Sequence, residues 1–169
     1  MYADAAREEP VRHEFFSPQP WTWHGTMTAC CAAGNGYLSG GRYRGLASAS
    51  DVVLIKAGAD RGRILGKNVA NGIRLPLRHP ELGIRVLNIS CGGDYEESYL
   101  TDSLCRAAEE ASRQGIVVVA AAGNSGHDSD HNVLPPASAP SVIAVGGLDD
   151  GGAGDQSWHY HSSYGLTID

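Results

Sequence analysis

The run Ile116-Val117-Val118-Val119-Ala120-Ala121 constrains this chain more than any other feature, because it offers no polar side to water. A strand that is apolar throughout belongs in a sheet covered on both faces. Shorter runs of the same kind are Val52-Val53-Leu54-Ile55, Ile84-Arg85-Val86-Leu87-Asn88-Ile89 and Val142-Ile143-Ala144-Val145. Between them the period changes. Leu65, Val69, Ile73 and Leu77 recur at helical spacing. Further on, Leu100, Leu104, Ala107, Ala108 and Ala111 share one helix face, with Asp102, Arg106, Glu109 and Arg113 opposite. Gly115 is expected to end that second helix. Strands alternating with helices predict an α/β fold, a doubly wound parallel sheet with helices on both faces. Residues 1–23 read as an irregular N-terminal segment, and residues 149–163, rich in Gly, Asp, His and Ser, as loop.

Composition removes several function classes. At 169 residues the chain is long enough for one ordinary domain, and 42% apolar against 19% charged residues is not a disordered composition. The net charge of −6, with no basic block, argues against a nucleic-acid surface. No apolar run reaches the length of a membrane span, so no spanning helix is expected. The first twenty residues hold no apolar core of the signal-peptide kind. The cysteines, Cys30, Cys31, Cys91 and Cys105, lack the paired spacing of a structural zinc site and are expected to be buried free thiols.

Open α/β sheets form their sites at the carboxyl ends of strands. Three segments stand out. His24-Gly25-Thr26 opens a small-residue helix running through Cys30, Cys31, Ala32 and Ala33, where the helix dipole disfavours the imidazolium and keeps the ring available as a base. Asn88-Ile89-Ser90-Cys91-Gly92-Gly93 is a strand running into two glycines, where missing side chains let another backbone approach, as when a peptide adds to a strand edge. Ala121-Ala122-Gly123-Asn124-Ser125-Gly126 follows the most apolar strand, and an asparagine amide held there can aim an N–H at a developing oxyanion. Alone, the first reads better as a surface or N-cap histidine and the second as a strand ending in a turn, while the third reads equally well as a turn.

Taken together, in this order and spacing, the three segments resemble the subtilisin-like serine proteases, or subtilases. The histidine of that family lies in an HGT motif, matched by His24, Gly25 and Thr26. Its substrate-binding strand ends in a Ser-Leu-Gly-like segment, matched by Ser90, Cys91 and Gly92. Its oxyanion asparagine lies in an AAGN-type motif, matched by Ala121, Ala122, Gly123 and Asn124. Pro135-Pro136-Ala137-Ser138 and Val142-Ile143-Ala144-Val145-Gly146 look like its PAS and VIAVG segments. The resemblance runs from about Trp23 to Asp169, so residues 24–169 read as a partial catalytic domain, incomplete at both ends.

The resemblance implies peptide-bond hydrolysis by an Asp/His/Ser triad, with His24 as the base, Asn124 in the oxyanion hole, and Ser90, Cys91 and Gly92 binding a peptide or protein substrate. It also implies a cis peptide at Pro135–Pro136, and His24 and Asn124 facing one cleft. The family's Asp-Ser/Thr-Gly motif does not precede His24, and Asp4, followed by Ala5 and Ala6, is not given that role. Nor does a Gly-Thr-Ser follow Gly146. The chain is therefore expected to be inert alone, and to self-associate through sheet surface left uncovered. No cofactor is evident; calcium enters by the resemblance alone, as does an extracellular location.

Other readings are weaker. A non-catalytic peptide-binding pseudoprotease would keep the cleft and use the strand at Ser90 to Gly93. A dinucleotide-binding domain needs a G-x-G-x-x-G that neither Gly40-Gly41 nor Gly58-Ala59-Asp60-Arg61-Gly62 supplies. His127-Asp128-Ser129-Asp130-His131 carries metal-binding side-chain types, but reads as a solvated loop, and His159 and His161 read the same way, so no metal site is assigned. Cys91 lacks an obvious base beside it to serve as a nucleophile.

Overall fold

The structure, a computed structural model, describes residues 2–4, 9–11, 23–58, 64–93, 97–128, 132–149, 157–158 and 161–165. The chain divides into two compact units, Met1–Leu65 and Gly66–Asp169.

The first unit holds strands β1 (Tyr2–Asp4) and β2 (Glu9–Val11), helix α1 (Trp23–Ala33) and strand β3 (Leu54–Lys56). β1 is the middle strand, antiparallel to β2 and parallel to β3. Two strands thus lie in the segment that reads as irregular. Pro10 of β2 is tolerable because an edge strand need not donate on its open side. Asp4 ends β1 with its Cα paired to that of Lys56. Around the end of α1 the chain doubles back closely. The N–H groups of Gly45 and Ala47 donate to the carbonyls of Gly34 and Ala32, both at 2.8 Å. A Cβ on Gly45 would stand 2.6 Å from the nitrogen of Ala33, so only glycine fits there.

The second unit carries α2 (Gly66–Arg78), β4 (Val86–Ile89), α3 (Ser103–Arg113), β5 (Val117–Ala121), β6 (Ile143–Val145) and the short pair β7 (Leu148–Asp149) and β8 (Ser157–Trp158). β4, β5 and β6 form one parallel sheet in chain order, while β7 and β8 pair antiparallel, all but Leu148 of them inside the segment that reads as loop. α3 starts where the Asp102 carboxylate accepts the N–H of Cys105 at 2.7 Å, satisfying one of the helix's open donors. It ends as the glycine demands. The N–H of Gly115, at φ 84°, donates to Ser112, and that of Ile116 to Ala111, a closure that needs a left-handed residue.

The two helices pack on one another, and α3 packs on β5. Ala107, Ala108 and Ala111 are fully buried, and these small side chains let the elements come close. Val69, Ile73 and Leu75 of α2 complete the layer with Leu87, Ile89, Val118 and Ala120 of the sheet. The continuous apolar run at 116–121 therefore behaves as an alternating strand. Val117 points away from this core, in register with Val86, while Val119 and Ala121 pair with Ile143 and Val145. Val86, Val117, Ile143 and Val145 are 60%, 47%, 54% and 50% exposed, so among the described residues of this unit cover is confined to one face. The fold is α/β with an incomplete parallel sheet. No helix among the described residues is long and apolar enough to cross a membrane.

Candidate active site

β4 and β5 run parallel, with Ile89 opposite Ala120, so the segments that follow them leave the sheet at the same end. Ser90, Cys91, Gly92 and Gly93 follow the first strand and Gly123, Asn124 and Ser125 the second; together they line a cleft of about 340 Å³. The side chain of Asn88 donates to the Ser90 hydroxyl at 3.1 Å, fixing the strand's exit. Gly92 has a close backbone neighbour, as its type suggests, but the neighbour is internal. The Pro135 carbonyl accepts the N–H of Gly93 at 2.9 Å, and a Cβ on Gly92 would stand 2.5 Å from that oxygen. The Pro135–Pro136 peptide is cis, as the resemblance implies.

The turn bearing Asn124 is tied on both sides. On its entry side Ala122 donates to the Val145 carbonyl at 2.9 Å and accepts from Leu134 at 3.0 Å. Gly123 takes φ 118°, a conformation that side chains resist. Ser163 spans the turn: its N–H donates to the Gly123 carbonyl at 3.0 Å, and on the exit side its hydroxyl accepts the N–H of Ser125 at 3.0 Å. Gly126 donates to the His161 carbonyl at 3.1 Å. Asn124 itself is exposed. Its loop also borders a second hollow, of about 470 Å³, reached by Val145, Gly147, His161 and Ser162. Sequence reasoning missed Ser162 and Ser163. Two serines in a polar stretch carry no signal that both are buried.

His24 stands in the first turn of α1 in the first unit, exposed, its ring 5.9 Å from that of Trp23 in an edge arrangement. The structure thus gathers Ser90, Cys91, Gly92 and Asn124 at one cleft of the second unit and sets His24 at the start of a helix of the first.

The thiols differ from the expectation that all are buried. Cys30 and Cys31 are exposed, since α1 has no buried face, Cys91 is half-buried, and only Cys105 is fully buried. Burial raises the Cys91 thiol above its ordinary value, which works against a nucleophilic thiolate. The rings of His127 and His161 meet edge to face at 5.2 Å, and Asp128 lies 3.6 Å from His127. Ser129, Asp130, His131 and His159 lie outside the described residues. Among the described residues no group of three or more His, Cys, Asp or Glu is arranged to hold a metal ion.

Residues 3–169 match the family model described as the subtilase family, and the chain belongs to that family. It is 35% identical over 155 residues to the serine protease AprX of Bacillus subtilis (strain 168), covering 86% of this chain and 35% of that protein. It is 46% identical over 68 residues to subtilisin DY of Bacillus licheniformis, covering 40% and 23% respectively. Among solved structures it is similar to sphericase, with a TM-score of 0.65 and 26% identity over 81% of this chain and 43% of that one. The self-cleaved protease domain of PatA gives a TM-score of 0.64 and 30% identity over 89% and 53%. The chain spans about a third of AprX and about half of the PatA domain.

Proposed function

We propose that this chain contributes the histidine, the oxyanion donor and the substrate strand to a subtilisin-like serine endopeptidase acting on peptide or protein substrates. The observation that carries this reading is the shared cleft of Ser90, Gly92, Gly93 and Asn124. A peptide laid along the strand end at Ser90 brings its scissile carbonyl toward the Asn124 carboxamide, whose N–H donates to the oxygen as it gains charge. His24 takes the proton of the attacking serine hydroxyl and later returns it to the leaving amine. Family membership supports serine protease chemistry.

The attacking serine belongs to a Gly-Thr-Ser segment, and no such tripeptide occurs in these 169 residues. Loss of the serine costs a subtilisin about 10⁶ in turnover, whereas loss of the asparagine costs about 10²–10³. The chain by itself therefore hydrolyses no peptide. A fluorophosphonate probe, which labels activated serines, tests this on the folded chain. No labelling is expected, and stoichiometric labelling that vanishes in His24→Ala overturns the reading of inertness. Adding a Gly-Thr-Ser-bearing subtilase segment in trans is expected to create hydrolysis that is lost in His24→Ala and falls about 10²–10³-fold in Asn124→Ala. Activity indifferent to both substitutions overturns the site.

A further inference from the structure

We infer that Ser163 is a positioning residue for Asn124, clamping the peptide groups on either side of it and so setting where its carboxamide points. The inference rests on the oxyanion role proposed for Asn124. Its ground is the bonding of one residue to two points of one turn. The Ser163 N–H donates to Gly123, the residue before the asparagine, and the Ser163 hydroxyl accepts from Ser125, the residue after it, both at 3.0 Å. Ser163 is only 3% exposed, so water does not readily replace a lost partner. The contact is also tight: a Cβ on Gly123 would lie 2.6 Å from the Ser163 hydroxyl oxygen.

The clamp has its own anchor. Ser162, 7% exposed, accepts the N–H of Gly147 at 2.9 Å through its hydroxyl, which ties it to the segment leaving β6. Consecutive hydroxyls thus serve different strand ends, Ser162 that of β6 and Ser163 that of β5. The bonds of Ala122 to Val145 and Leu134 fix the entry to the Asn124 turn, whereas Ser163 reaches across to its exit. Without the Ser163 hydroxyl, the Ser125 N–H loses its acceptor and the turn pivots about Gly123, whose backbone carries no side-chain restriction. An oxyanion donor is sensitive to such movement, since a displacement of about 1 Å can cost about 10²-fold in rate.

The test reads the turn directly, in the full chain labelled with ¹⁵N. Amide hydrogen exchange at Ser125 and the side-chain amide resonances of Asn124 are compared in wild type, Ser163→Ala, Ser163→Cys and Ser163→Thr. Ser163→Ala and Ser163→Cys are expected to speed Ser125 exchange roughly tenfold, the loss of one buried hydrogen bond, and to shift the Asn124 resonances. Val118 and Ala120 in β5 should keep their rates, and Ser163→Thr, which retains the acceptor, should restore both signals. If Ser163→Ala does not fold, Ser163→Cys decides, because it keeps the volume and weakens the acceptor. Unchanged Ser125 exchange in folded Ser163→Cys overturns the inference, as does equal acceleration throughout β5. Neither readout needs turnover, so the clamp can stand even where the Asn124→Ala assay rejects the oxyanion role.

Discussion

The carbonyl of Pro135 occupies the place where Gly92 would carry a side chain, 2.5 Å from the position of its missing Cβ. The strand end after β4 and the turn at 135–139 therefore share a wall built from backbone. Ala at position 92 forces the two apart. Overpacking of this kind costs about 1–3 kcal/mol, so Gly92→Ala should lower the urea midpoint without changing the slope. It should also widen the cleft at Ser90. An unchanged midpoint would show that the Pro135 turn yields freely.

Arg74 on α2 and Glu110 on α3 make a two-pronged ion pair, Nε to Oε2 at 2.6 Å and Nη2 to Oε1 at 3.1 Å. The hydrogen bond to Arg74 holds the Glu110 carboxyl below its ordinary value of 4.5. A folded value below the unfolded one means the pair's contribution is complete above about pH 4.5 and lost as the pH falls through the folded value. The side chains are 28% and 36% exposed, so solvent screening keeps the contribution below about 1 kcal/mol. Chemical denaturation at a series of pH values should show a shallower acid limb in Glu110→Gln than in wild type, and superimposable limbs would remove the pair from the account.

The cysteines should sort by burial. The Cys105 thiol is pushed up to about 12, chiefly by burial, and shares a 3.3 Å hydrogen bond with Ser138. With a maleimide at neutral pH, Cys30 and Cys31 on α1 should react first and Cys91 more slowly. Cys105 should react only on unfolding. Mass spectrometry of quenched samples reads the order, and early modification of Cys105 would contradict the packing of α3.

Val86, Val117, Ile143 and Val145 stand in register on the exposed sheet face. A contiguous apolar patch of this kind drives association. Sedimentation of the wild-type chain should show concentration-dependent oligomers, and Val117→Lys with Val145→Lys should shift it toward monomer while leaving the opposite, buried face intact. Monomer at all concentrations in wild type would remove the patch as a cause.

α2 and α3 are legible because their apolar residues repeat at helical spacing, and β4, β5 and β6 because each is a short apolar, β-branched run, whereas β7 and β8 fall where the sequence reads as loop. Gly115 is legible as a stop because its left-handed backbone is one that only glycine adopts freely. β1 and β2 are not: Tyr2-Ala3-Asp4 and Glu9-Pro10-Val11 have neither an apolar run nor alternation, and their pairing comes from tertiary context. The uncovered face of the β4–β5–β6 sheet is hidden for a related reason. Val117 and Val118 are the same residue type, and only the neighbours decide which is buried. At the cleft, the types of Asn124 and Gly92 are informative because chemistry and sterics restrict them. Ser163 is silent because its value lies in where a distant loop brings it.

The order of strands in the second sheet bears on how the chain acquires its shape. β4, β5 and β6 are spatial neighbours in the order in which a ribosome releases them. Each pairing joins strands adjacent in that sheet's sequence, so no member waits for a partner made much later, and each crossover closes a shorter loop than the β1–β3 pairing, a modest difference in closure entropy. β1, by contrast, must hold its place until β3 arrives from beyond α1, since Tyr2 pairs with Leu54. The second sheet thus closes over shorter stretches of chain than the β1–β3 pairing does, and the pairing of β4 with β5 is what draws the cleft-forming strand ends together.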